Sequence, residues 1–271
     1  MKHLFHIIIF LVAAGAIMSC SDYNKVYKSK DMDQKYKLAM DLFEKKKWSK
    51  SLALLEQLKD GYKNQLDSLE IVYFKIGYAN YNLKSYDYAS MYFKDFTDNF
   101  GASNKAEEAA YMALYCDVMF VADADLDQSQ TKDIINALQT FINFYPNSKY
   151  VENCNKHIDD LRGKLHAKAY EQVMQYYGMG EFKSASANAK IVSKQYPDHP
   201  QKEELDFIAA DAQFRYAMNS VESKRIERLE SALANIQDYL DANGKVGEHY
   251  KEILDIKSKS EKEIKKLKDI L

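Results

Sequence analysis

The sequence predicts an all-α fold of stacked helix pairs, and three observations carry that prediction. Glycine and proline are scarce, at 9 and 3 of 271 residues, so the turns that an all-β chain needs are largely missing. Apolar residues recur at steps of three and four, the period of a helix face. One arrangement of aromatic and small residues returns five times in a single register, which marks a repeat architecture. At roughly 100–200 residues per domain the length allows one large domain or two small ones. The formal net charge of −2 leaves no basic excess, so nucleic acid is not an expected partner. Tyrosine is abundant, with 21 copies beside 13 phenylalanines, a store of flat amphipathic surface for cores and interfaces.

The N-terminus reads as an address. Lys2 and His3 precede an apolar run over residues 4–17. This is shorter than the ~20 residues a membrane-spanning helix needs, and it fits a secretory signal peptide over 1–19. The run closes on Ile17-Met18-Ser19-Cys20, which resembles the bacterial lipobox and makes Cys20 the expected lipidation site. Acyl chains there would anchor the protein, since one chain alone holds only marginally. Ser21, where aspartate would favour inner-membrane retention, points to the outer membrane with the body facing the periplasm. Residues 20–32 are polar without a clear apolar period and read as a tether. The remaining 33–271 form the repeat domain.

The clearest repeat contains Tyr73, Ile76-Gly77, Tyr81, Tyr86 and Ala89, and continues to Phe93, Phe96 and Phe100. Gly77 and Ala89 allow two antiparallel helices to approach closely, while Tyr73, Tyr86 and Phe93 fill the space around them. The frame recurs at Ser51, Ile134, Ala185 and Ala232, with spacings of 38, 45, 51 and 47 residues. Trp48, Tyr86 and Phe182 open the second helices, replaced by Thr131 and Leu229 in the other two repeats. Those helices close at Tyr62, Phe100, Tyr145 and Tyr196. Gly101, Pro146, Pro197 and Gly244 follow as stop signals. The pattern resembles the tetratricopeptide repeat, loosened by longer helices and by the 122–130 loop. It implies a tetratricopeptide-like helical-repeat solenoid of about five helix pairs. A last apolar period, Ile253, Ile256, Ser260, Ile264, Leu267 and Leu271, adds a C-terminal helix. Its lysine-rich face reads either as a solvated cap or as a docking element for an acidic partner.

No constellation for chemistry stands out. Asp123, Asp125 and Asp127 alternate like the start of a calcium loop, but Gln128 and Ile134 occupy the places where that loop needs glycine and glutamate. His157 and His166 lie off same-face spacing and read as solvated. Cys116 and Cys154 sit in apolar-periodic helices and read as buried free thiols. No catalytic, cofactor or metal residues are assigned, and no enzyme activity is expected. One surface is assigned. In this repeat type the first helices line the inner face, which places Tyr36, Met40, Phe43, Phe74, Tyr78, Tyr81 and Asn82 along a candidate groove for partners and clients. Packing of the same residues into the core is the competing reading.

The lipobox, the five loose repeats and the overall length together resemble the BamD family, lipoproteins of the outer-membrane β-barrel assembly machinery. Specific stretches include Ala109-Ala110-Tyr111-Met112-Ala113-Leu114-Tyr115-Cys116, Leu126-Asp127-Gln128 with Phe141-Ile142-Asn143-Phe144-Tyr145-Pro146-Asn147-Ser148, and Ala217-Met218-Asn219-Ser220-Val221. The last two look like the Bacteroidota branch. Gly101-Ala102-Ser103 departs from the expected Tyr-Pro-x-Ser, which puts helix ends rather than the fold in question. The resemblance implies N-terminal repeats that contact unfolded outer-membrane proteins and C-terminal repeats that dock the barrel subunit BamA. It also implies other assembly-machinery lipoproteins as partners. The alternative is a different repeat lipoprotein that scaffolds envelope or peptidoglycan enzymes.

Overall fold

A computed structural model describes residues 22–122 and 128–269. Among the described residues there is no strand, and the all-α prediction holds. A first short helix, α1, spans residues 22–28. Five pairs follow: α2 (Met32–Glu44) with α3 (Trp48–Gly61), α4 (Leu66–Asn82) with α5 (Tyr86–Asn99), α6 (Ala106–Ala122) with α7 (Gln128–Phe144), α8 (Val151–Gly178) with α9 (Phe182–Gln195), and α10 (Lys202–Met218) with α11 (Glu222–Asn243). A 3₁₀ turn over Gly244–Val246 leads to α12, Tyr250–Lys268. The chain falls into two compact units, one running to Asp159 and one starting at Asp160. In the first, each helix from α2 to α7 packs on the next. In the second, α9, α10, α11 and α12 do the same. This nearest-neighbour stacking is the mark of a helical repeat.

The register predicted from sequence is visible in the backbone. Ser51, Ala89, Ile134, Ala185 and Ala232 are all buried. Trp48, Tyr86 and Phe182 each open their helix. The preceding corners share one device. Lys46, Lys84 and Gly180 have positive φ, at 55°, 61° and 77°. The amides that follow them, of Lys47, Ser85 and Glu181, donate back to the carbonyls of Leu42, Asn80 and Tyr176. This closes the first helix of each pair with its last carbonyls satisfied. The outer corners repeat as well. The carbonyls of Tyr62, Phe100, Tyr145 and Tyr196 accept from the amides of Gln65, Ser103, Ser148 and His199.

Close approach within the second pair depends on Gly77. A Cβ there would stand 2.8 Å from the ring of Phe93, well inside contact distance, so the glycine makes room for a fully buried ring. The first unit's leading core joins Ala39, Leu54, Leu55 and Leu58 to Val72 and Ile76. In the second unit, Val173, Ala185, Ala189, Leu205 and Ile208 form one core. The C-terminal helix is a cap. Ile253 and Ile256 pack with Ile236 and Tyr239, and Ile264 packs with Leu229 and Ala217.

Two features differ from the sequence reading. Residues 22–28 are helical rather than a structureless tether. Tyr23 stacks near Tyr27, donates its hydroxyl to the Lys50 carbonyl at 3.3 Å, and lies under the Lys50 ammonium. Tyr23 and Tyr27, one helical turn apart, supply the apolar edge that the polar composition hid. The second difference is His166, which is buried instead of solvated. Its ring lies against Tyr196 and His199, 5.0 and 4.9 Å between centroids. His157 is half-buried, 5.5 Å from the Tyr115 ring.

Candidate interaction surface

The predicted groove residues fall into three groups. Tyr36, Met40 and Phe43 of α2 are half-buried against the leading core. Phe43 meets Trp48 edge-on at 4.9 Å and carries the Lys75 ammonium 4.0 Å above its ring. Phe74 is a correction. It is 9% exposed and sits among Phe93, Phe96 and Tyr78, so it supports the surface from below. The four-residue step from Phe74 to Tyr78 suggests one stripe, but its first ring turns towards α5 and is covered there.

Tyr78, Tyr81 and Asn82 remain at the surface. Tyr78 donates its hydroxyl to the Glu108 carboxylate of α6. Burial first, and that carboxylate second, raise the Tyr78 phenol above its ordinary range. The ring is thereby fixed between neighbouring first helices. Tyr81 lies 6.4 Å from Tyr78, 6.0 Å from Tyr86 and 5.9 Å from Tyr115. Burial and the Tyr115 hydroxyl push its phenol up to about 12. Both groups are neutral donors at any physiological pH. Asn82 is exposed and donates to the Tyr78 carbonyl at 2.8 Å.

The surface extends beyond the residues that the sequence singles out. Tyr115 continues to Tyr111, which stacks on Tyr150 at 4.1 Å and 7°. Tyr115 and His157 complete a ladder of rings over α4, α6 and the start of α8. The signal is present in the repeat. Glu70 and Glu107 are equivalent, each accepting from the serine of the following corner, Ser103 and Ser148, at 2.6 Å. Counting along from those two glutamates, Tyr115 falls where Tyr78 falls and Tyr111 where Phe74 does. Ser103 and Ser148 also close the turn into the next helix, each side chain accepting from the amide two residues on, of Lys105 and Tyr150. The departure at Gly101-Ala102-Ser103 thus leaves the turn serine in place.

Nothing in this ladder is arranged for bond chemistry. Among the described residues no group of three or more His, Cys, Asp or Glu could hold a metal ion. Cys116 and Cys154 are buried free thiols, and burial pushes them up to about 12 and about 11, away from the reactive thiolate. Asp123, Asp125 and Asp127 lie outside the described residues, as do Cys20 and the predicted signal peptide. No helix among the described residues is long and apolar enough to cross a membrane.

Comparison with known proteins adds three findings. The chain is 21% identical over 219 residues to the outer membrane protein assembly factor BamD of Caulobacter vibrioides, covering 79% of this chain and 71% of that protein. It is 14% identical to a thermophilic tetratricopeptide-repeat protein of Thermus thermophilus. That likeness covers 86% of this chain and 98% of the other, but a TM-score of 0.33 is too low for any argument to rest on it. The family model described as YfiO, outer membrane lipoprotein, matches residues 28–229, about three quarters of the length. The chain belongs to the YfiO outer-membrane lipoprotein family.

Proposed function

We propose that this chain is a non-enzymatic assembly factor for outer-membrane proteins, held by lipid on Cys20 and facing the periplasm. The observation that carries the reading is the family match over residues 28–229, supported by the similarity to BamD. Within that role the first unit receives unfolded outer-membrane proteins, and the second docks the BamA-type barrel subunit. Tyr78 and Tyr81, flanked by Tyr36, Met40 and Phe43, suit the first task. Their rings are held by packing and by Glu108, so little side-chain entropy remains to be lost when an extended client strand lays apolar residues on them. Asn82 and the tyrosine hydroxyls at the rim can pair with the strand's backbone.

Purifying the lipidated protein from membranes and identifying co-purifying proteins by mass spectrometry tests the role. A BamA-type barrel subunit should dominate the partners, with outer-membrane β-barrels following it. Peptidoglycan enzymes in its place would instead favour the reading as an envelope scaffold. Cys20→Ala should release the protein from the outer-membrane fraction or stall its processing. A variant that still fractionates with that membrane without lipid would place the anchor elsewhere.

A further inference from the structure

A second surface in the first unit lies apart from the tyrosine ladder, in a cleft of about 550 Å³ between α5, α6 and α7. Each helix contributes acidic and apolar side chains: Asp87, Met91 and Asp95 from α5 at four-residue steps, Asp117, Phe120 and Val121 from α6 within one turn, and Asp133 and Ile134 from α7. Val121 and Ile134 are buried and form the floor. Phe120 and Met91 stand above them, 47% and 44% exposed. Large apolar side chains held open in a concave site mark a binding surface more than a folding need. The core of this unit gains little from side chains that water still reaches.

The rim decides what can enter. Four aspartates line the cleft against one lysine, Lys94, and that lysine is already paired with Asp117 at 2.8 Å. Asp117 also accepts the Ser90 hydroxyl at 2.5 Å, so it is held in place as part of the wall. Asp87 and Asp133 are exposed at the edge. The whole chain carries only −2, so the negative charge here is a local concentration rather than a general property. Such a rim repels acidic segments and attracts basic ones.

We propose that this cleft docks a basic segment of a partner protein, with an apolar side chain seated against Phe120 and Met91 and flanking lysines or arginines set against Asp87, Asp95 and Asp133. The site is separate from the client surface and stands whether or not the assembly role does. The probe is a short labelled peptide with leucine and phenylalanine between pairs of lysines, titrated by fluorescence anisotropy into the full-length protein in detergent. A counterpart with glutamates in place of the lysines serves as the control. The lysine peptide should bind saturably, weaken as salt rises, and shift the methyl resonance of isotopically labelled Met91. The glutamate peptide should not bind. Met91→Ala with Phe120→Ala should weaken the lysine peptide by roughly tenfold or more, as loss of interface anchors does. Asp87→Lys with Asp133→Lys, surface changes that leave the floor intact, should reverse the preference between the peptides. Equal binding of the two peptides, no binding of either, or full affinity in the alanine variant would overturn the proposal. So would concentration-dependent self-association of the parent protein that Phe120→Ala abolishes, since a second copy would then be the occupant.

Discussion

The helix pair α4/α5 and the α9–α11 stack satisfy the same repeat register by different chemistry. In α4/α5 the interior is aromatic. Phe74, Phe93, Phe96 and Tyr78 meet at centroid distances of 5.1–6.0 Å over the space left by Gly77. Around α10 the contacts are small residues with hydrogen bonds threaded among them. Asn235 donates to the Ala209 carbonyl at 2.9 Å, and the Ser186 hydroxyl donates to that same carbonyl at 2.7 Å. Asp211 is buried, receiving the Tyr177 hydroxyl and the Arg215 Nε. Ring packing is tolerant in direction, and its outer members present faces and edges that a ligand can use. A polar network fixes one geometry, and it loses more when one member goes than that member alone is worth. The aromatic region can therefore meet varied apolar surfaces, while the networked region presents one defined geometry.

The largest expected effect tests the aromatic side of this contrast. Phe93→Ala should cost about 3–5 kcal/mol in urea unfolding, because a fully buried ring leaves a cavity that the neighbouring rings fill only in part. Asn235→Ala should cost less, about 1–3 kcal/mol, as its hydrogen bonds to Ser186 and Ala209 are lost while the Ser186 hydroxyl still pairs with the Ala209 carbonyl. Equal costs would erase the distinction between the regions. Where the two regions agree, the same change should hurt both. Ala89→Leu and Ala185→Leu each overpack a site with no free surface and should lose about 1–3 kcal/mol. An unchanged unfolding midpoint in both would count against the shared register.

Acid should separate the units. Burial lowers the His166 pKa below its ordinary 6.5, and Asp198 only partly opposes this. The unfolded chain therefore binds a proton that the folded ring refuses, and stability falls as pH drops below about 6.5. The loss levels off once pH passes below the folded value. Glu203 adds a lower limb. Burial alone would raise its pKa, but the Tyr239 hydroxyl and the His249 donors outweigh burial and hold it below 4.5. Its contribution is present above about 4.5 and disappears as pH falls towards the folded value. His166→Gln should flatten the profile near pH 6.5, read by hydrogen exchange in the second unit. A profile identical to the parent's would remove His166 as the cause. The smallest effect is at a corner. Lys84→Gly should gain roughly 0.5–1 kcal/mol, since glycine takes the positive φ at this helix end without steric cost.

Much of this is legible in the order of the amino acids. Gly77, Ala89 and the closing aromatics announce their places because close approach and helix ends restrict the residue types allowed. What stays hidden has physical causes. Lys46 and Lys84 occupy left-handed corners where glycine would be the signal, so the shared geometry shows only in the backbone. His199 takes the turn-closing role of Ser103 and Ser148, its Nδ1 accepting from the Gln201 amide at 3.0 Å. Histidine seldom serves that way, so the pattern of residue types does not announce its burial beside His166. Phe74 lies on the same predicted face as Tyr78, yet its ring packs against Phe93 and Phe96 of α5 and is covered by them. Tyr115 is marked only by its place, eight residues after Glu107 as Tyr78 is after Glu70, an equivalence made visible by the hydrogen bonds from Ser103 and Ser148.

The proposed division of labour between the two units can be tested directly. Tyr78→Ala with Tyr81→Ala is titrated against a peptide with an aromatic-ended β-barrel terminal strand, and separately against a BamA-type subunit. Circular dichroism verifies the fold of the variant. Removal of α12 is unsuitable as the opposite arm, because Ile253, Ile256 and Ile264 are core residues. Lys262→Glu with Lys266→Glu on its exposed face serves instead. The tyrosine variant should lose peptide affinity by roughly tenfold or more while still binding the barrel subunit, and the lysine variant should do the reverse. A well-folded tyrosine variant that binds the peptide as tightly as the parent would contradict the account, leaving the ladder as packing alone.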